Sequence, residues 1–470
     1  MNNATAGRTS ATLAIIGLGF FLAGCKGIST KGEKEARRQA QTVAASYRPR
    51  GEKPALPPLT ADSGLSNLLT FAMLNQPKVE AAFYEWTASI ERITQARSLP
   101  DPQVTFQMDI QNLVTSIMPG LMGTIPWPDK LRAGAQIASS ESEAKYFAFQ
   151  SAVLESAFEV KRTYYQLYFL AERIRVNQET LQLLSNLEKL ARAQNESGKV
   201  TLQDVLRAQI EQARLRTEIA NLEDSRISLM AQFKAVLGLG TNDAPPPTPN
   251  RFESTPLDLS TENLFEAAFA KNARLKAMEA DVRAAEASII LARRSRLPDF
   301  TLGLMADAKT SPTLYRPLGT VSLPIWRDKI AAQIAEAQTT RHSAQARLSS
   351  EQIALAVDVA GRSYLYREAT RNLALLNDDL LPKARQSLEL ARSGYLAGQI
   401  DFFNLTDAER TLLGFELDKV EASTQREVVL AELSLIIQGM SPANAPTGSG
   451  APGMNGGNKS SPGKPNRGGM

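Results

Sequence analysis

From Asp129 to Glu196 the chain runs 68 residues without a proline, and Ala157, Val160, Tyr164, Leu167, Ala171, Ile174, Gln178 and Leu181 recur at spacings of three and four. That period is a helix with a coiled-coil seam. At 1.5 Å per residue such a helix extends roughly 100 Å, far beyond the diameter of a globular domain. It cannot wrap a compact core, so its neighbours must also be rods. The helices predicted before it (about 65–97) and after it (202–238) together match its length and can lie antiparallel along it.

The same order of elements occurs twice. Leu-Pro-Asp recurs at Leu99 and Leu297, Asp-Lys at Asp129 and Asp328, and a glycine between two helical stretches at Gly198 and Gly398, all at offsets of 198 to 200 residues. Landmarks keeping one offset over this distance mark an internal duplication, with too long a period for a solenoid. The first copy spans 62–240, with a β-hairpin at 102–127, a long helix at 129–196, a tip turn at 197–201 and a helix at 202–238. The second spans 261–440, with a hairpin at 299–326, a long helix at 328–393, a tip turn at 394–401 and a helix at 402–438. Proline-rich residues 241–260 link them.

Each hairpin begins at a Leu-Pro-Asp. Val104, Phe106, Met108 and Ile110 alternate with Thr105, Gln107 and Asp109, and Phe300, Leu302, Leu304 and Ala306 with Thr301, Gly303, Met305 and Asp307, a period of two suited to a tilted membrane-crossing strand. A second, shorter strand follows each, and Pro100, Pro126, Pro298 and Pro324 fall at strand ends, where a missing N–H is cheapest. Phe106 and Leu302 are expected to face lipid, and Gln107 and Gly303 a pore. Four strands cannot close a barrel, and an open edge cannot sit in lipid with its backbone unpaired. The hairpins must therefore combine between chains, and three chains give twelve strands.

Composition removes other classes. Fifty-three basic and 49 acidic residues, interspersed, leave a net charge of +4 and no nucleic-acid stripe. The only histidine is His342, read as solvated, and the only cysteine Cys25, which argues against a zinc site, a Cys/His nucleophile and any intrachain disulfide. No catalytic constellation and no cofactor are expected, and Tyr164, Tyr165, Tyr168 and Phe169 read as helix packing. Residues 1–24 read as a signal peptide: Arg8, then an apolar stretch at 11–21 too short to span a bilayer, then Leu-Ala-Gly before Cys25. Residues 25–61 read as an extended polar tether, and 441–470, rich in Gly, Pro, Ser and Asn, as a disordered tail.

Leu22-Ala23-Gly24-Cys25 resembles a bacterial lipobox, which implies acylation of Cys25, and Lys26 after it implies the outer membrane. Across about 62–440 the two Leu-Pro-Asp strand starts, "GTIPWPDKLRAGAQIA" and "GTVSLPIWRDKIAAQIA" at the strand-to-helix exits, and "ARAQNESGKVTLQDVLRAQ" and "ARSGYLAGQIDFFNLTDAE" at the turns resemble the TolC-type outer-membrane efflux proteins, in their lipid-anchored branch. The resemblance implies a homotrimer. Its fold would be mainly α, duplicated helical hairpins forming a trimeric α-barrel, with four strands per chain contributing to a shared twelve-stranded β-barrel. The linker and the end of the last helix would form an equatorial domain. A periplasmic adaptor would meet the tips at Gly198, Tyr395 and Gly398, and an inner-membrane pump of the resistance-nodulation-division type would complete the assembly. The positions matching the family's acidic gate are Asp407 and Asn404, with Asp401 and Asp204 nearby; Asn404 departs from the acidic pattern, and Asn195 stands where the first tip would carry a tyrosine. Asp204 and Asp401 also suit plain helix-start residues. The competing class is a non-conducting envelope-spanning coiled-coil scaffold or periplasmic adaptor lipoprotein, against which the duplicated hairpins and the lack of a Gly-rich β segment argue.

Overall fold

The computed structural model describes residues 29–60, 63–110, 114–198, 201–249 and 261–438. The expected signal peptide, Cys25, most of the linker and the C-terminal tail lie outside them.

The tether expectation fails over 31–51, while 52–60 carry no helix or strand. Lys31–Tyr47 is a helix, α1, whose N-cap Thr30 accepts a hydrogen bond from the Glu33 amide at 3.2 Å. Its run of charges hid a helical stripe: Ala36, Ala40, Val43 and Ala44 lie against a buried cluster of Tyr47, Phe83, Trp86, Ile90 and Phe149. Polar ties fix it as well. Buried Glu33 accepts from Arg97 at 2.5 Å, Thr94 at 2.8 Å and Arg37 at 3.2 Å, while Arg37 reaches Glu91 at 2.8 Å. Burial raises the Glu33 carboxyl, but these donors outweigh it and hold it at about 2.

The first copy comprises α2 (Leu65–Asn75), α3 (Pro77–Arg97), β1 (Gln103–Ile110), β2 (Val114–Ile125), α4 (Pro128–Glu196) and α5 (Leu202–Val236). The second comprises α6 (Thr261–Lys271), α7 (Ala273–Arg294), β3 (Asp299–Asp307), β4 (Leu314–Ser322), α8 (Arg327–Leu375), α9 (Leu381–Leu396) and α10 (Phe402–Gln438). Each predicted leading helix is broken once. Gln76 precedes Pro77, whose ring disfavours helical backbone there, and Asn272 replaces the helix interior with an N-cap, accepting from the Leu275 amide at 3.0 Å. Both breaks serve the same purpose. Asn75 Nδ2 donates to the carbonyls of Leu237 (2.8 Å) and Gly238 (3.0 Å), and Asn272 Nδ2 to that of Ile436 (2.7 Å), so each copy fastens the end of its last helix to its own break.

α4 is one continuous helix of 69 residues, but it lacks a single seam. Phe158, Tyr165, Leu170, Val176 and Asn177 are buried beside Val160, Tyr164, Leu167 and Ile174, because the helix packs against α3, α5, α7 and α10. Its counterpart is not continuous: a π-helical turn at Leu376–Leu380 separates α8 from α9. Pro382 lacks an N–H and would clash with a helical carbonyl one turn back, and the wider turn accommodates it.

The strands form one antiparallel sheet in the order β1-β2-β3-β4. β2, expected to be the shorter partner, has 12 residues against eight in β1, because Pro119 lies just beyond its pairing with β3, which begins at Gly120 opposite Met305. The faces differ sharply. Val104, Phe106, Leu302, Leu304, Tyr315 and Val321 lie on one face, 49–82% exposed, while the opposite, more polar face carries Thr105, Gln107, Ser116, Thr301, Asp307 and Arg316 together with Met118, Met122, Met305 and Leu318. Glycine is required twice on this polar face: a Cβ on Gly120 would fall 2.6 Å from Met305 Cγ, and one on Gly303 2.5 Å from Met122 Cγ.

Asp299 of the second Leu-Pro-Asp joins the copies. Its carboxylate accepts from the Trp127 amide at 3.0 Å and from Lys130 Nζ at 2.9 Å, at the point where β2 gives way to α4. Trp127 lies near Phe300 (6.3 Å between centroids), whereas Trp326, its repeat counterpart, is 72% exposed.

Candidate functional site

The ends of the rods opposite the sheet carry the residues singled out in sequence. α4 stops at Gly198 (φ +74°), whose amide donates to the Asn195 carbonyl at 2.9 Å; α9 stops at Gly398 (φ +72°), whose amide donates to that of Tyr395 at 3.1 Å. Nothing lies within 4 Å of a Cβ built on either glycine, so conformation alone demands glycine here. Gly398→Ala is therefore expected to cost about 1 kcal/mol through the left-handed backbone, read as faster amide exchange at residues 395–401 with the sheet end unchanged.

The two turns start the next helices differently. Asp401 caps α10, its Oδ1 accepting from the Asn404 amide at 2.9 Å. Thr201 caps nothing; its hydroxyl instead donates to the Asp204 carboxylate at 3.3 Å. Asp401, Asn404 and Asp407 are all exposed along the first turns of α10, whereas Asp204 is half-buried on the other tip.

Tyr395 does not lie on the tip surface. It is 2% exposed, packed edge-on to Phe402 at 5.7 Å in a cluster with Leu187, Val205, Ala208 and Leu405 that binds the two tips together. Burial and the nearby Asp204 charge push its hydroxyl up to about 12. The expected adaptor contact through this ring is thus replaced by a packing role; its apolar body fills the seam between the turns.

One group at this end escaped the sequence reading. Glu409 is 3% exposed, and neither of its carboxylate oxygens has a hydrogen-bond partner. It lines a cavity of about 250 Å³ between α4, α5 and α10 with Thr180, Leu184, Glu211, Arg214, Glu218 and Arg410. The charges around it are engaged with one another: Glu211 pairs with Arg410 and, at 3.3 Å, with Arg214, while Glu218 pairs with Arg173 at 2.7 Å. Burial raises the Glu409 carboxyl to about 7, with Arg410 pulling weakly the other way. The signal was present: Phe402, Leu405 and Glu409 continue one buried stripe, so a carboxylate occupies an apolar position.

Among the described residues no group of three or more His, Cys, Asp or Glu side chains is placed to hold a metal ion, and no helix is long and apolar enough to cross a membrane. The latter says nothing against a β-barrel.

Known proteins share this architecture. The chain is 21% identical over 359 residues to the cobalt-zinc-cadmium resistance protein CzcC of Cupriavidus metallidurans, covering 76% of this chain and 84% of that one. A membrane protein from Pseudomonas aeruginosa superposes with a TM-score of 0.71 at 19% identity, over 82% of this chain and 98% of the other. The outer membrane protein VceC of Vibrio cholerae does so with 0.67 at 17%, over 80% and 96%. Residues 68–239 and 264–438, the two copies found by their spacing, each match the outer membrane efflux protein family, and the chain belongs to that family.

Proposed function

We propose that this protein is the outer-membrane channel of a tripartite exporter, three copies of the chain passing substrate from a periplasmic adaptor and an inner-membrane pump to the exterior. The observation that carries this reading is the sheet: four strands with an exposed apolar face and two unpaired edges, set on helices about 100 Å long. Such a face suits lipid, such edges need partners, and rods of that length suit the periplasm. Conduction needs no bond chemistry, and the chain acts as a lined passage and not as an enzyme. The pump is of the resistance-nodulation-division type on the resemblance of the tips and exits.

Cys25 is the anchor in this reading. α1 begins beside Arg97, at the sheet end of the rods, and the five residues from Cys25 to Thr30 reach at most roughly 17 Å, which keeps acyl chains on Cys25 close to the apolar sheet face.

Asp407 is the gate residue. Its exposed carboxylate, in three copies around one axis, lowers the energy of a cation at the periplasmic entrance and repels anions; Asp401 and Asn404 flank it. Reconstituted in planar bilayers, the protein is expected to give discrete conductance steps, blocked by multivalent cations less strongly in Asp407→Ala. Purified protein that runs as a monomer and conducts nothing would sink the channel; an Asp407→Ala record identical to wild type would remove only the gate.

A further inference from the structure

Where the sheet gives way to helix, α4 and α7 pack along one another and leave a groove of about 480 Å³ between residues 129–136 of the first and 283–294 of the second. Its charges do not cancel. Arg283 is taken by Glu143 at 2.8 Å and Glu286 by Arg341 at 3.4 Å. Arg132 and Arg294 are left with one carboxylate between them, Asp129, which they approach only at 3.4 and 3.6 Å. Each guanidinium carries five N–H donors in a planar fork, and these two side chains are 79% and 49% exposed, so most of their donors face outward. Arg293 and Arg296, both exposed, add positive charge at the same end of α7. Duplication does not account for the pair. The second copy reads Asp328-Lys329-Ile330-Ala331 where the first reads Asp129-Lys130-Leu131-Arg132, and Ala96 stands 198 residues before Arg294. The two arginines belong to the junction inside the chain alone.

Height and side indicate what the groove meets. Arg132 follows Trp127 by five residues, about 7.5 Å along α4, and exposed apolar side chains, Ile125, Leu323 and Ile325, stand at the base of the sheet above it. The polar layer of a bilayer is roughly 5–8 Å thick on each side of the hydrocarbon core, so with the apolar sheet face in lipid these guanidinium groups lie at phosphate height. Gln136 and Glu143 continue the Arg132 stripe down α4, and Glu143 borders a second cavity with Glu35 and Gln39 of α1. The groove therefore opens on the side of the rods that carries α1, the helix that follows Cys25.

We propose that this groove binds the phosphodiester headgroup of a phospholipid in the periplasmic leaflet, with Arg132 and Arg294 donating to its phosphate oxygens. The inference rests on the outer-membrane reading of the sheet and adds a specific lipid contact to it. Arginine forks match phosphate bidentately, and a phosphate shared by two of them replaces two long approaches to Asp129 with several short charge-assisted hydrogen bonds. Held there, the lipid fixes the depth at which the rods meet the bilayer.

The test counts bound lipid. Full-length protein, purified in a maltoside detergent and mixed with dioleoyl-phosphatidylglycerol, is read by native mass spectrometry. Retention is expected to fall roughly tenfold when Arg132→Ala and Arg294→Ala are combined, the loss of one or two charge-assisted hydrogen bonds. Arg385→Ala, an equally exposed arginine toward the tips, should retain lipid as wild type does. Asp129→Asn removes the competing carboxylate and should raise retention, a second reading that does not depend on the double variant folding; a fall there overturns the site. Equal retention by the double variant and wild type overturns it as well. Dioleoylglycerol, with the same chains and no phosphate, should not be retained, and if it is held as well as the phospholipid the headgroup has no part in binding. Inorganic phosphate that displaces the lipid completely would make the groove a site for a soluble anion and overturn the lipid as its source. None of these measurements depends on conduction. Protein that conducts yet holds no lipid overturns this inference alone, and protein that holds lipid without conducting overturns only the channel.

Discussion

Glu409→Gln is expected to stabilise the tip by about 3 kcal/mol at pH 8 and to change little at pH 4.5. The reason is the missing partner. Between those two values, a carboxyl that titrates at about 7 when buried and near 4.5 when exposed stays protonated in the packed tip while the opened tip ionises, and above about 7 it carries its charge into the packed tip at full cost. The opened state thus binds fewer protons, so stability is fully present below about 4.5, falls as pH rises to about 7, and is level above it. Glutamine keeps the shape and removes the charge. Amide exchange in the first turns of α10, followed between pH 5 and pH 8, reads the difference directly. A wild-type tip whose opening energy is flat across that range would mean that the carboxylate is paired in solution, and the Gln variant would then be the weaker one. Arg214, Arg410, Glu211 and Glu218 face the same cavity, but they are tied to one another or to Arg173 and leave the carboxyl oxygens of Glu409 without a hydrogen bond.

Leu302→Arg tests the other end. Leu302 is 58% exposed on the apolar face, and a charge there is expected to cost roughly 2–4 kcal/mol at mid-bilayer depth. Gln107→Arg, on the polar face, should be tolerated. Yield of folded protein in outer-membrane fractions separates the two, and equal loss from both would mean that the apolar face does not meet lipid.

How much of this was legible depended on whether a residue acted through repetition or through its surroundings. The copies were visible because Leu-Pro-Asp, Asp-Lys and the turn glycines recur at one offset, and of these the turn glycines do the same local work twice. Gly198 and Gly398 could be located by this reasoning, since positive φ is a demand of the backbone alone. The role of Tyr395 could not, because a ring at a turn reads the same whether it meets a partner protein or the neighbouring tip. α1 was missed for a related reason: Glu33, Arg37 and Arg97 look solvated one by one and become a buried network only when α1 lies on α3. The π-helical turn needed only Pro382 to be taken seriously inside an otherwise persuasive period. Glu409 needed the converse, a polar residue noticed where the stripe called for leucine.

The amide fastenings at Asn75 and Asn272 have a mechanical consequence. Each copy is a closed loop: chain leaves the break, climbs to the sheet, descends the long helix, turns, and returns to the residue where it began. α5 and α10 are thereby pinned at the end far from the turn, so neither can slide lengthwise against its neighbour. A force applied at the tips can only swing rods about 50 Å long about a fixed upper end. Small rotations near Asn75 and Asn272 then become large sideways excursions at Gly198 and Gly398.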